Sequence, residues 1–168
     1  MSASLLWGKI VRSAANSRSM EPHAGCCDEC MVHSKPMKGF HADIERATVE
    51  NTHFRRVLYT GKHSQLVLMC LQPGEEIGME THPENDQFFR FESGEGTCVI
   101  DGQTYAVRDG SAIVIPAGAQ HNIINTSVTE QLKLYTIYAP PHHKDAIVRA
   151  TKEEAEAHDA EFDGVTTE

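Results

Sequence analysis

Two stretches of the chain place residues able to bind a cation at short, repeated spacings. The first runs Gly74, five residues, Glu80-Thr81-His82, four residues, Gln87, six residues, Gly94. The second runs Gly110, five residues, Pro116-Ala117-Gly118-Ala119-Gln120-His121, three residues, Asn125. Together they put four potential ligands, Glu80, His82, Gln87 and His121, on short strands separated by glycine turns. Glu80 and His82 are two apart, so on a strand they share a face while Thr81 points away. A carboxylate and an imidazole side by side in a sheet interior are costly unless something compensates their polarity, and a metal would do so. Pro116 and Gly118 allow the sharp reversal that turns His121 toward the same place.

The two stretches resemble the paired conserved-barrel motifs of the cupin superfamily, specifically the small single-domain proteins often labelled mannose-6-phosphate isomerase-like. The second stretch carries the family pattern at Gly110, Pro116, Gly118, His121 and Asn125. The first keeps the spacing but has Glu80 where the family usually has a leading His, and Gln87 where it usually has Glu. The resemblance covers residues 50 to 140. It implies an all-β fold, a single double-stranded β-helix or jelly-roll barrel, with Glu80, His82, Gln87 and His121 as the set holding one divalent transition metal (Fe, Mn, Zn, Ni or Co). It also implies pairing as a homodimer, for which Phe54 to Gln72 is a candidate intersubunit strand.

Two imidazoles and one carboxylate leave coordination positions open, the arrangement used by Fe(II) oxygenases and tolerated by other first-row metals. With Gln87 neutral, one positive charge is left over, which favours an anionic or enolate-forming ligand. The bound metal would polarise a carbonyl, acidify a water or activate dioxygen. The readings are a metal-dependent enzyme on a small organic molecule, isomerase-like or oxygenase-like, and a non-catalytic small-molecule or carbohydrate binding module. Only Arg90 and Arg108 lie near the motifs, a poor endowment for sugar phosphates. Same-face strand positions nominate Phe89, Phe91, Tyr135 and Ile137 as pocket lining, with Met69 or Met79 as softer walls. Asp86 neighbours Gln87 but belongs to a turn. His142-His143, after two prolines, reads as a solvated turn, and His41, His53, His63 and His158 as surface residues.

The elements that must hold these side chains are strands. From Phe54 onward the chain alternates short apolar runs with turn residues, predicting strands over 54–60, 65–72, 75–81, 87–92, 96–100, 103–107, 111–115, 120–125 and 133–139. Asp101-Gly102 predicts a two-residue hairpin with positive φ at both positions. No helical period is long enough to cover a sheet, so the strands bury one another's faces. The one helix signal is Thr151-x-x-Glu154 ahead of Lys152 to Glu161, a capping box.

With 168 residues the chain fits one domain. Residues 1–36 read as an irregular extension, 37–148 as the barrel and 149–168 as helix and tail. A net charge of -9 argues against a nucleic-acid backbone partner, and the lack of an apolar run of about 18 residues excludes a membrane-spanning helix. The expected compartment is the cytoplasm. The alternative is the mitochondrion, because Met1 to Met20 holds Lys9, Arg12 and Arg18, five serines and no acid, as transit peptides do. Cys26, Cys27 and Cys30, near His23 and His33, read as an unstructured cluster, half a zinc clip or a redox pair. Cys70 and Cys98 sit in apolar runs and read as buried hydrophobes.

Overall fold

Alternation of buried and exposed side chains along short strands, the pattern the sequence predicts, produces two antiparallel sheets. The structure, a computed structural model, describes residues 38–168. The readings made for Cys26, Cys27 and Cys30 and for the extension therefore lie outside the described residues. After a helix α1 (Ile44–Glu50) come β1 (Arg55–Thr60), β2 (Gln65–Leu71), β3 (Glu80–Thr81), β4 (Asp86–Ser93), β5 (Glu95–Ile100), β6 (Gln103–Arg108), β7 (Ala112–Ile115), β8 (Gln120–Asn125), β9 (Leu132–Ala139), β10 (Val148–Arg149) and a helix α2 (Lys152–Ala157). One sheet has the order β10-β1-β2-β9-β4-β7 and the other β3-β8-β5-β6. The chain is thus a jelly-roll barrel. Among the described residues no helix is long and apolar enough to cross a membrane.

The core lies between the sheets. Val67, Met69 and Leu71 of β2, Phe89 and Phe91 of β4, and Leu132 and Leu134 of β9 meet Cys98, Val107 and Ile123 from the opposite sheet, all buried. Each such side chain stabilises the fold by roughly 1.5–3 kcal/mol. Cys70 and Cys98 are free and buried, as expected, and burial raises both thiol pKa values, that of Cys98 to about 11. Asp101 (φ 45°) and Gly102 (φ 78°) form the predicted hairpin turn between β5 and β6.

Several elements differ from the sequence expectation. The strand predicted over 75–81 shrinks to Glu80–Thr81, because Gly78 at φ 108° breaks the extended run. A bridge from Glu76 to Ile124 and a hydrogen bond from Ile77 N to Ile123 O (3.0 Å) still hold that segment against β8. Helix α1 is additional. Asp43 caps it, its Oδ1 accepting from Arg46 N at 3.2 Å, and Lys133 Nζ donates to Asn51 O just past its end. Helix α2 is shorter than 152–161. Thr151 Oγ1 does accept from Glu154 N (3.2 Å) and Glu154 Oε2 from Ala150 N (2.7 Å), but the Arg149 guanidinium donates to His158 O at 2.7 Å and ends the helix there. Finally, Phe54 to Gln72 is not free to pair with a second subunit as an edge. β2 lies inside the sheet, and the outer side of β1 is taken by Ala150 O, Val148, Ile147 O and Thr167.

Candidate metal centre

The two motifs meet because β3 and β8 pair, with Glu80 directly opposite His121. Gly118, at φ 85°, forms the tip of the turn that leads into β8. Its N–H donates to His82 O at 2.8 Å, so the second motif pins the end of the first. Asp86 is exposed and supports the same turn from below, its Oδ1 accepting from Ala117 N at 2.9 Å. Gln87 enters from β4, which is in the other sheet, with Tyr138 and Ile115 as its neighbours across β9 and β7.

Four donor atoms converge there. Ligand atoms of Glu80, His82 and His121 all lie within 4.8 Å of one another. Glu80 Oε1 is 3.3 Å from His82 Nε2 and 3.6 Å from His121 Nε2, and Gln87 Oε1 is 3.0 Å from His121 Nε2. His82, Gln87 and His121 are 7%, 1% and 1% exposed, so water does little to offset their polarity. His121 Nδ1 lies 3.1 Å from Ala119 O, an acceptor, which places the proton on Nδ1 and leaves the Nε2 lone pair facing the oxygens of Gln87 and Glu80. Gln87 Nε2 donates to Thr136 Oγ1 at 3.1 Å, which turns its amide oxygen the same way.

Lone pairs aimed at lone pairs repel unless a positive charge lies among them. Glu80 Oε1 and His82 Nε2 are buried and have no hydrogen-bond partner among the described residues. Burial alone would push the Glu80 carboxyl up, but the imidazoles of His121 and His82 outweigh it and hold the group well below the usual carboxylate range. Burial likewise pulls His121 down, and Glu80 together with Ala119 O overcomes it, so His121 holds a second proton more firmly than a free imidazole does. The cluster draws in a cation, and a proton is the smallest one. Two imidazole nitrogens, a carboxylate and an amide oxygen are also a donor set that fits a divalent transition metal.

Residues 67–138 match the family model described as Cupin_2, a cupin domain. An uncharacterized protein of Bacillus subtilis, YrkC, is 50% identical over 126 residues, covering 71% of this chain and 67% of YrkC. The crystal structure of BH2720 from Bacillus halodurans, 45% identical, superposes with a TM-score of 0.70 over 72% of this chain and 96% of that one. The chain belongs to the cupin family. An uncharacterized protein of Acanthamoeba polyphaga mimivirus is 45% identical over 104 residues, 60% of this cupin and 65% of the viral protein. The chain thus spans about two thirds of the length of these two curated relatives.

In this cupin one of the donors, Glu80, also lines a cavity of about 260 Å³. Its lining includes Glu80, Phe54, Arg55, Ile77, His142, His143 and Lys152. Phe89 and Phe91 are fully buried in the core, with the Phe89 ring 6.3 Å from that of His121. Tyr135 and Ile137 correct the sequence expectation: they lie on the other face of β9. The register pairs Tyr135 with Arg90 and Ile137 with Phe88, so all four point away from the interior, and Tyr135 packs on Phe88. The inward residues are their neighbours Thr136 and Tyr138, a slip of one residue that inverts the face. Met69 is buried core, whereas Met79 is 54% exposed and walls nothing.

The histidines near the C-terminal end of β9 also depart from expectation. His142-His143 is not a solvated turn. His143 is 3% exposed, and the ring of His142 stacks on Tyr138 (5.3 Å) and meets His82 edge-on at 4.3 Å. Burial lowers the pKa of both. His53 is half-buried, while His41, His63 and His158 are exposed as expected. Arg90 donates to Gly110 O and, like Arg108, stays outside the cavity. The basic residues that do reach it, Arg55 and Lys152, lie outside both motifs, and only the sheet order brings them there.

Proposed function

We propose that this cupin is a metal-dependent enzyme acting on a small organic molecule, with one divalent transition metal held by Glu80, His82, His121 and the amide oxygen of Gln87. The observation that supports this most directly is the convergence of four electron-pair donors, two without any partner, beside a cavity. A cation bound there supplies Lewis acidity, a more acidic water or, as iron, chemistry with dioxygen. The protein's own groups set the geometry. Ala119 O orients His121, Thr136 orients Gln87, and such outer partners tune ligand basicity. The apolar ring of Phe89 and the buried Tyr138 keep water from the inner side.

The donor set favours oxygenase-like chemistry over an isomerase-like reaction, since two imidazoles and one carboxylate leave positions open for two ligands, while fold similarity alone transfers no reaction. An oxygen electrode tests it: Fe(II)-loaded protein should consume dioxygen with candidate small acids, and anaerobic conversion of a sugar would select the isomerase branch. One feature favours a non-catalytic binding module, the neutral amide of Gln87, which cannot act as a base. Under that reading ligands raise the melting temperature and no substrate turns over.

A pH dependence follows from the site. Because Glu80 raises the His121 pKa, a metal must displace a proton from His121. Affinity therefore climbs with pH for as long as His121 of the metal-free protein is protonated, and levels off above its raised pKa, once His121 is neutral. Calorimetric titration in two buffers of unlike ionisation enthalpy should read up to one proton released per metal. No release anywhere between about pH 6 and 8 would contradict the arrangement.

A further inference from the structure

We infer that the cavity beside the donor cluster contains a carboxylate subsite built on Arg55, and that the substrate is a small organic acid whose anionic end sits on that guanidinium. The inference rests on the metal-site reading for where the rest of the molecule goes, and not for the Arg55 contact itself.

Arg55 opens β1 and lines the cavity together with Glu80. Its side chain is 10% exposed, and its Nε is buried with no hydrogen-bond partner among the described residues. A buried guanidinium left in that state is costly, and it is normally paired or hydrogen-bonded. The nearest ion-pair contact is inadequate. Asp159 Oδ1 stands 4.0 Å from Arg55 Nη1, well beyond the roughly 2.7–2.9 Å of a charge-assisted hydrogen bond. Asp159 is itself 62% exposed, so water screens its charge.

A second group points to the same occupant. His143 lines the cavity with both ring nitrogens buried and unpartnered among the described residues. A neutral imidazole offers one donor and one acceptor. It suits the remaining oxygen of a carboxylate held by Arg55, or a hydroxyl on the next carbon. Lys152 adds a positive charge at the wall, its Nζ 3.8 Å from Glu156, which is mostly exposed. The planar fork of arginine matches a carboxylate bidentately, and a cavity of about 260 Å³ is at the small end for ligand sites, fitting an acid of a few carbons.

Calorimetric titration of the zinc-loaded full chain with succinate and with its uncharged diamide, repeated on apoprotein, tests this. Succinate should bind at least about tenfold more tightly than the diamide, the gap a charge-assisted pair produces. Arg55→Gln should erase the preference, Arg55→Lys should restore part of it, and Asp159→Asn should tighten succinate binding, all at unchanged zinc content and in a folded barrel. Equal binding of acid and amide, no measurable binding of either, or a preference that survives Arg55→Gln each overturns the subsite. If wild-type protein holds no zinc, the metal reading falls, and the apoprotein titration still decides the Arg55 contact alone.

Discussion

Replacing His121 with alanine should reduce the metal content of purified protein from about one equivalent to background and leave the barrel folded. His121 is the only donor from the second motif, and its Nε2 lies 3.0 Å from Gln87 Oε1 and 3.6 Å from Glu80 Oε1. Without it one imidazole, one carboxylate and a weak amide are left, and affinity should fall by more than the roughly 10–100-fold that loss of a merely supporting group costs. The fold should tolerate the change. Ala119 O loses its partner, a penalty of about 1–3 kcal/mol against a typical stability of about 5–15 kcal/mol. Elemental analysis reads the first effect. Denaturation with and without added metal reads the second: wild type should gain about 2.7 kcal/mol at a hundredfold excess over Kd, and H121A nothing. A variant that keeps stoichiometric metal removes His121 from the ligand set.

The second large effect is expected at Gly94, where the first motif ends. Its φ is 86°, and a Cβ added there would meet the Gln131 carbonyl oxygen and lie 3.0 Å from Leu132 Cα. Those are backbone atoms at the start of β9, and Leu132 is fully buried and pairs with Leu71, so neither can yield. Gly94→Ala should cost about 3 kcal/mol or more, combining about 1–3 for the backbone conformation with about 1–3 for overpacking. Gly110→Ala is the control. Its φ is 83°, yet nothing lies within 4 Å of the added carbon, so only the conformational part is lost. Urea midpoints that are equal for the two variants would show that close approach at the β4–β5 turn does not matter.

How much of this was legible in the sequence depends on how local the determinant is. The hairpin at Asp101-Gly102 needs only two residues and was legible. So were the four potential ligands, because strand alternation and the turn at Gly118 act within each motif, and the structure does bring Glu80, His82, Gln87 and His121 together. The pocket was not. Choosing Tyr135 and Ile137 over Thr136 and Tyr138 was an error of one residue in register, which apolar periodicity cannot detect when both faces of β9 are largely covered. Arg55 and His143 were invisible for a different reason: they approach the site only through the pairing of β1 with β10 and the path of the chain after β9, contacts between residues far apart in sequence. Helix α1 is seven residues long, too short to show a period, and the sole local cue was Asp43 as its cap.

Both motifs are expected to share one cation, and anomalous diffraction from crystals of the metal-loaded protein would locate it. The predicted result is a single strong peak about 2.0–2.2 Å from His82 Nε2, His121 Nε2 and a Glu80 oxygen, with Gln87 Oε1 beside it. A peak elsewhere on the molecule, or none in protein that binds one equivalent of metal in solution, would contradict it.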